Sequence, residues 1–422
     1  MTGRFVSKKI DICSLGFLAG LAAAMAITTS CGYRTFGING PFRAVVLSFT
    51  GTDDQGKAQF ALGEKTFRTM TDFNNLDGTY ANIRRGGTLT IRNINGSIVS
   101  SENFEGGTAP NLRYNVKSGV ASALDYSTLA MLSAYYQLDE IYSTAEEKIG
   151  IPPSALQANL PNGKHSVLFE PEIKISNSGS EISAGVKLNA AFSPPDKKFL
   201  LFQRSPIENI PLAANLQVIS HEFGHFVFDY GFFLGKFESG NRWSDEWAIS
   251  GINEGFADFI SWSFTGSSDI LRSSIDLSNY ADERDFAKTT FKFADLNAEE
   301  PSACGGGFYC FGTLFARSLY QTWSVLKDTV TKKDMALGVI QTLQKCQKSM
   351  EEVDLSVLPL KVDRDNLSWS AAYEYDGKVL GGFIHAFIVN APAAWKPELC
   401  IAFVNNFGDR GFPAAARPRT CN

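Results

Sequence analysis

Apolar and polar positions divide the chain into a β-rich first part and a largely helical remainder. An apolar run from Ala44 to Phe49 predicts a strand, Asp53-Asp54-Gln55-Gly56 a turn, and Ala58 to Leu62 the return. A second hairpin spans Thr88 to Val99 around Asn95-Gly96, a two-residue pair that accepts the positive φ angles of a tight turn. Residues 41–115 hold no catalytic cluster and read as a scaffold or accessory sheet, with a substrate-positioning or inhibitory prosegment as the alternative. Leu129, Leu132, Tyr136 and Ala145 recur near helical spacing and predict a helix from Ser127 to Ile149, stopped by Gly150 and Pro152-Pro153. Strands follow at 166–169, 173–176, 186–192 and 198–203, the last two joined through Pro194-Pro195-Asp196. Next comes a helix from about Pro211 to Tyr230, ended by Gly231. A loop with Gly235, Gly240 and Asn241 leads to a helix from about Ile252 to Phe264. Beyond 270 the pattern is mostly helical, clearest at 314–326 and 333–350.

The first thirty residues stand apart from this pattern. Arg4, Lys8 and Lys9 precede an apolar run from Ile12 to Ile27, the layout of a secretory signal. Thr28-Thr29-Ser30-Cys31 resembles a lipobox, which implies cleavage before Cys31 and lipidation of its thiol; Gly32 after it points to the outer membrane. The chain is therefore expected to be exported: an outer-membrane lipoprotein, or at the cell surface or in the periplasm, otherwise secreted. Beyond Cys13 and Cys31, five of the seven cysteines remain, at 304, 310, 346, 400 and 421. Export permits disulfides, and Cys304–Cys310 and Cys400–Cys421 are the local pairings; an odd count leaves at least one thiol over.

Composition adds exclusions. The 422 residues are 44% apolar and 20% charged, as in globular proteins. A net charge of −5 gives no reason to expect a nucleic-acid partner. The chain contains only four histidines, and His221 and His225 stand one helical turn apart.

His221-Glu222-Phe223-Gly224-His225 is an HExxH motif within a predicted helix. A spacing of four puts both imidazoles on one face, where one Zn²⁺ can take a nitrogen from each. Glu222 is one residue step away, placed to hold and deprotonate a water on the metal. Catalytic zinc requires a third protein ligand. Asn253-Glu254-Gly255-Phe256-Ala257-Asp258 supplies Glu254, with Asp258 one turn on to accept from a ligand histidine and Asn253 as a further helper. Asp229 reads as a local cap or surface residue, and His165 and His385 as structural histidines among apolar neighbours.

HEFGH followed by NEGFAD resembles the gluzincins, the superfamily of thermolysin, the fungalysins and zinc aminopeptidases. The resemblance implies zinc ligation by His221, His225 and Glu254, general-base chemistry by Glu222, and an outer hydrogen-bonding role for Asp258. Asn189-Ala190-Ala191-Phe192 resembles the edge strand that pairs with an extended peptide substrate in that family, which implies substrate binding at Asn189 and Ala190. Tyr309-Cys310-Phe311-Gly312 resembles a Tyr-x-x-Gly segment whose hydroxyl stabilises the oxyanion, which makes Tyr309 the candidate and His385 its substitute.

The expected class is α+β: a zincin-type catalytic domain with a mixed sheet and the HExxH helix, at 116–266. A signal peptide at 1–30 and a β-rich region at 31–115 precede it, and a mostly helical part at 267–422 follows. The expected function is zinc-dependent metalloendopeptidase action on peptide or protein substrates, by a monomer. A zinc aminopeptidase, or a non-catalytic surface lipoprotein on the same fold, is the alternative. The acidic motif with Gly and Met that binds a free N-terminus in the aminopeptidases is missing upstream of His221, which favours the endopeptidase. One zinc ion is the expected cofactor; Ca²⁺ is left open, since no EF-hand-like loop marks it.

Overall fold

The computed structural model describes residues 41–94, 97–177, 180–183, 188–194, 197–203, 210–235, 246–271, 273–274, 284–296, 307–352 and 369–421. The signal, Cys31, Cys304, the Asn95-Gly96 turn and Pro195-Asp196 lie outside them. All described residues belong to one unit, Ile38–Asn422.

Among the described residues fourteen strands come in chain order. They are β1 (Arg43–Thr52), β2 (Ala58–Thr66), β3 (Met70–Asp72), β4 (Asp77–Gly78), β5 (Ala81–Arg85), β6 (Thr88–Ile94), β7 (Ser97–Glu105), β8 (Tyr114–Lys117) and β9 (Val120–Ala123). Then follow β10 (His165–Phe169), β11 (Glu172–Asn177), β12 (Ser180–Ser183), β13 (Leu188–Ser193) and β14 (Lys198–Gln203). The main helices are α1 (Tyr126–Ile149), α2 (Pro153–Gln157), α3 (Leu216–Phe232), α4 (Trp247–Thr265), α5 (Gly307–Leu326), α6 (Lys332–Glu352), α7 (Trp369–Asn390) and α8 (Lys396–Gly411). Among the described residues no helix is long and apolar enough to cross a membrane.

The architecture is α+β with mixed sheets. The strands form three sheets, ordered β2-β1-β9-β8, β13-β14-β10-β5-β4-β3 and β12-β11-β6-β7. The first hairpin has the expected turn: Asp53 Oδ1 accepts from the backbone N–H of Gln55 and Lys57 at 3.0 and 2.9 Å, and Gly56 takes φ 78°. In the second sheet β10 runs parallel to both β5 and β14, while β13 is antiparallel to β14 and ends the sheet. This sheet therefore combines residues from before and after position 115.

Helix α1 starts where Asp125 accepts from Thr128 N at 2.7 Å and stops at Gly150 in the left-handed region, φ 74°. Helix α3 departs from expectation at both ends. Pro211 leads only into a short 3₁₀ turn, Leu212–Ala214, and Asn215 caps the helix by accepting from Gln217 N at 2.9 Å. At the other end the helix runs through Gly231 to Phe232. Gly231 is not a terminator: it lies inside the helix, facing α6, with room for a Cβ at ordinary contact distance from Leu343. Helix α4 begins at Trp247, five residues before the expected start, so Asn253 and Glu254 sit in its second turn rather than at its opening.

Close helix crossings fix the centre of the molecule. A Cβ at Gly224 would lie 2.5 Å from Ala257 Cα, so α3 and α4 touch backbone to backbone. A Cβ at Gly255 would lie 2.0 Å from the Gly312 carbonyl oxygen, which draws α4 onto α5 in the same way. Ser261 Oγ, from α4, donates to the Gln217 carbonyl of α3 at 2.9 Å. Phe223, Phe226 and Phe228 on α3 and Phe256 and Phe259 on α4 are fully enclosed around this contact.

Two of the expected cysteine pairings meet described residues. Cys400 and Cys421 form a disulfide, and Cys346 is a free, buried thiol. Cys310 is disulfide-bonded as well, and Cys304 lies outside the described residues.

Candidate metal centre

The crossing of α3 and α4 brings the two sequence motifs together in the wall of a cleft of about 380 Å³. His221 Nδ1 lies 2.8 Å from Asp258 Oδ1, and His225 Nδ1 lies 2.9 Å from Asn253 Oδ1. A carboxylate and an amide oxygen only accept, so with neutral imidazoles Nδ1 is the nitrogen that would carry the hydrogen and Nε2 the one that would offer a lone pair. Both Nε2 atoms turn to Glu254, at 3.3 Å from Oε2 for His221 and 3.6 Å from Oε1 for His225. Tetrahedral zinc with ligand bonds of about 2.0–2.2 Å holds its ligand atoms roughly 3.3–3.6 Å apart. The three side chains form a group whose ligand atoms all lie within 4.8 Å of one another.

Electrostatics point the same way. Glu222 and Asp258 are enclosed and Glu254 nearly so, and among the described residues the guanidinium beside them is that of Arg284, which donates to Asp258 Oδ1 and Oδ2 at 2.9 and 3.2 Å and to Glu254 Oε2 at 3.4 Å. Three carboxylates against one guanidinium leave two negative charges when the histidines are neutral, which a divalent cation matches. Without a metal the site draws in a proton instead. Burial alone would lower the His221 pKa, but Asp258 and Glu254 outweigh it and hold it up to about 10. Burial would raise Glu254, yet His225, His221 and Arg284 pull it down to about 2. Burial raises Glu222, which is 4% exposed and whose Oε2 meets no hydrogen-bond partner among the described residues. An enclosed carboxylate oxygen beside the two histidines would suit a group that holds a water on a metal. The donor set, two imidazoles and a carboxylate, fits zinc with one position left open.

The other sequence candidates divide. Ala190 lines the cleft with Ala191 and Phe192 of β13. Asn189 is on the same strand, paired in register with Phe202. Tyr309 lines the cleft from α5, its ring 4.8 Å from the Arg284 guanidinium. His385 is elsewhere: its Nδ1 donates to the Ala416 carbonyl at 2.7 Å and it takes no part in the cleft, so its substitute role in oxyanion stabilisation falls. His165 is fully enclosed and stacks edge-on to Phe199 and Phe226, as expected of a structural histidine. Asp229 is not a surface residue: it is 2% exposed and ion-paired with Lys197, because its helix end faces the sheet rather than solvent.

Sequence reasoning missed Arg284. The only signal was indirect: a buried Asp258 requires a cationic partner, but nothing in Asp282-Glu283-Arg284-Asp285 distinguishes that arginine from a solvated one. Comparison with known proteins adds no assignment: no family model matches the chain, and no curated protein matches it.

Proposed function

We propose that this protein is a zinc-dependent metalloendopeptidase of the gluzincin kind, exported and anchored through Cys31. The observation that carries the reading is the convergence of His221, His225 and Glu254, whose candidate ligand atoms lie within 4.8 Å of one another, beside the enclosed carboxylate of Glu222. Bound zinc would supply a Lewis acid that brings the pKa of its water to near neutrality and polarises the substrate carbonyl. Glu222 is the base that takes the water's proton and returns it to the leaving amine. Asp258 and Asn253 fix the tautomers of the two histidines. Tyr309 is the assigned donor to the negative charge that develops on the carbonyl oxygen.

A peptide substrate is supported by β13, which ends its sheet and puts Ala190, Ala191 and Phe192 along the cleft, where an extended chain can be laid beside it. Export is supported by the Cys400–Cys421 disulfide, a bond favoured in oxidising compartments.

The test is hydrolysis of an unfolded protein and a broad peptide library by zinc-loaded wild type and Glu222→Gln. The variant is expected to keep its zinc and to lose at least about a hundredfold in rate. Equal inertness of the two, with zinc bound, overturns the peptidase reading.

A further inference from the structure

The ion pair between Lys197 and Asp229 lies outside the cleft but joins its two walls. Asp229 is on α3, one turn beyond His225, and is 2% exposed. Lys197 precedes β14 at the end of the connection from β13 and is 8% exposed. Its backbone takes φ 53°, in the left-handed region that a lysine adopts only when its surroundings impose it. Two contacts do so. The ammonium pairs with Asp229, and the Lys197 carbonyl accepts from His165 Nδ1 at 3.2 Å. His165 in turn packs on Phe226 of α3 and on Phe192 and Phe199 of the β13–β14 pair. The strand that lines the cleft is thus tied, through one residue, to the helix that carries both histidines.

An ion pair this enclosed is a costly way to gain stability, since apolar residues of similar size often do as well. What apolar residues do not supply is a fixed distance and direction between two elements. We infer that Lys197 is a positioning residue, whose pairing with Asp229 sets β13 against α3 so that a substrate laid along the strand meets the metal centre. The inference rests on the metalloendopeptidase reading for its catalytic consequence, but the tie itself is testable without activity.

The experiment uses the full chain with Lys197→Met, and with Lys197→Met combined with Asp229→Leu to relieve the uncompensated buried carboxylate. Amide hydrogen exchange is followed for residues 188–203 and 216–232, with zinc content, kcat and KM on a peptide cleaved by the wild type. The expected result in both variants is faster exchange at 188–203 with α3 as protected as in wild type. Zinc content and kcat should stay within about twofold, and KM should rise about tenfold. Lys197→Arg, which keeps the charge, should recover most of the loss in KM. Equal acceleration in both segments, or failure of both variants to fold, makes the pair a global stability element and overturns the inference. Wild-type exchange at 188–203 overturns it too, as does a wild-type KM in the double variant. Should the wild type cleave nothing, the peptidase reading fails while the exchange comparison still decides whether Lys197 holds the strand.

Discussion

His225 Nδ1 sits 2.9 Å from Oδ1 of Asn253, the residue immediately before Glu254. One short segment of α4 therefore supplies both the candidate carboxylate ligand and the group that orients the second histidine. Asn253→Ala removes the acceptor and frees the imidazole to rotate or change tautomer. Zinc affinity, read by competition with a chromophoric chelator, is expected to fall about 10- to 100-fold. Unchanged affinity contradicts an orienting role.

Arg284 is the second expected point of failure. It contacts both Asp258 and Glu254, and its side chain is 7% exposed. Arg284→Met takes the guanidinium from Asp258 and Glu254 and leaves them only the protonated His221 in the metal-free protein, at a cost of up to about 3–5 kcal/mol. Zinc should recover part of that loss, because the ion then supplies the missing positive charge. Urea unfolding with and without zinc measures both effects. A variant as stable as wild type without metal removes Arg284 from the account.

The crossing glycines make a third prediction. Gly255→Ala would drive a methyl into the Gly312 carbonyl and displace the turn that carries Glu254. A loss of about 1–3 kcal/mol together with weakened zinc binding is expected. Gly63→Ala meets nothing within 4 Å and serves as the control.

Acid sensitivity is the fourth. Burial lowers the His165 pKa from 6.5 to about 3 in the folded chain, although its hydrogen bond to the Lys197 carbonyl and the nearby Lys197 charge also act on it. Between those values the unfolded chain binds a proton that the folded chain refuses. The contribution is fully present above pH 6.5 and is lost as pH falls toward 3, at about 1.4 kcal/mol per pH unit. His165→Leu gives up the hydrogen bond and is less stable at pH 7, but its stability should fall less steeply with acidification. Parallel stability–pH curves for the two proteins rule the effect out.

The relations inside each candidate motif were legible for a physical reason: helical spacing sets them within HEFGH and within NEGFAD. The meeting of the two motifs was not, because it depends on the α3–α4 crossing at Gly224 and Ala257, which no local period encodes. Arg284 joins Asp258 across 26 residues by a contact that no local period encodes. The parallel pairing of β5 with β10 spans more than 80 residues, and apolar runs do not specify a partner. Gly231 was misread because a glycine that ends a helix and one that lies in its last turn look alike in a single chain. Asp229 was misplaced for a related reason: its buried partner, Lys197, comes from a turn that the sequence marks only by prolines.

His221, His225 and Glu254 are proposed to bind one zinc ion together. Metal analysis after dialysis at micromolar free zinc tests it on wild type and Glu254→Ala. One zinc per wild-type chain, and loss of most of it in the variant, is the expected result. A wild type that retains no zinc, or full occupancy in Glu254→Ala, contradicts it.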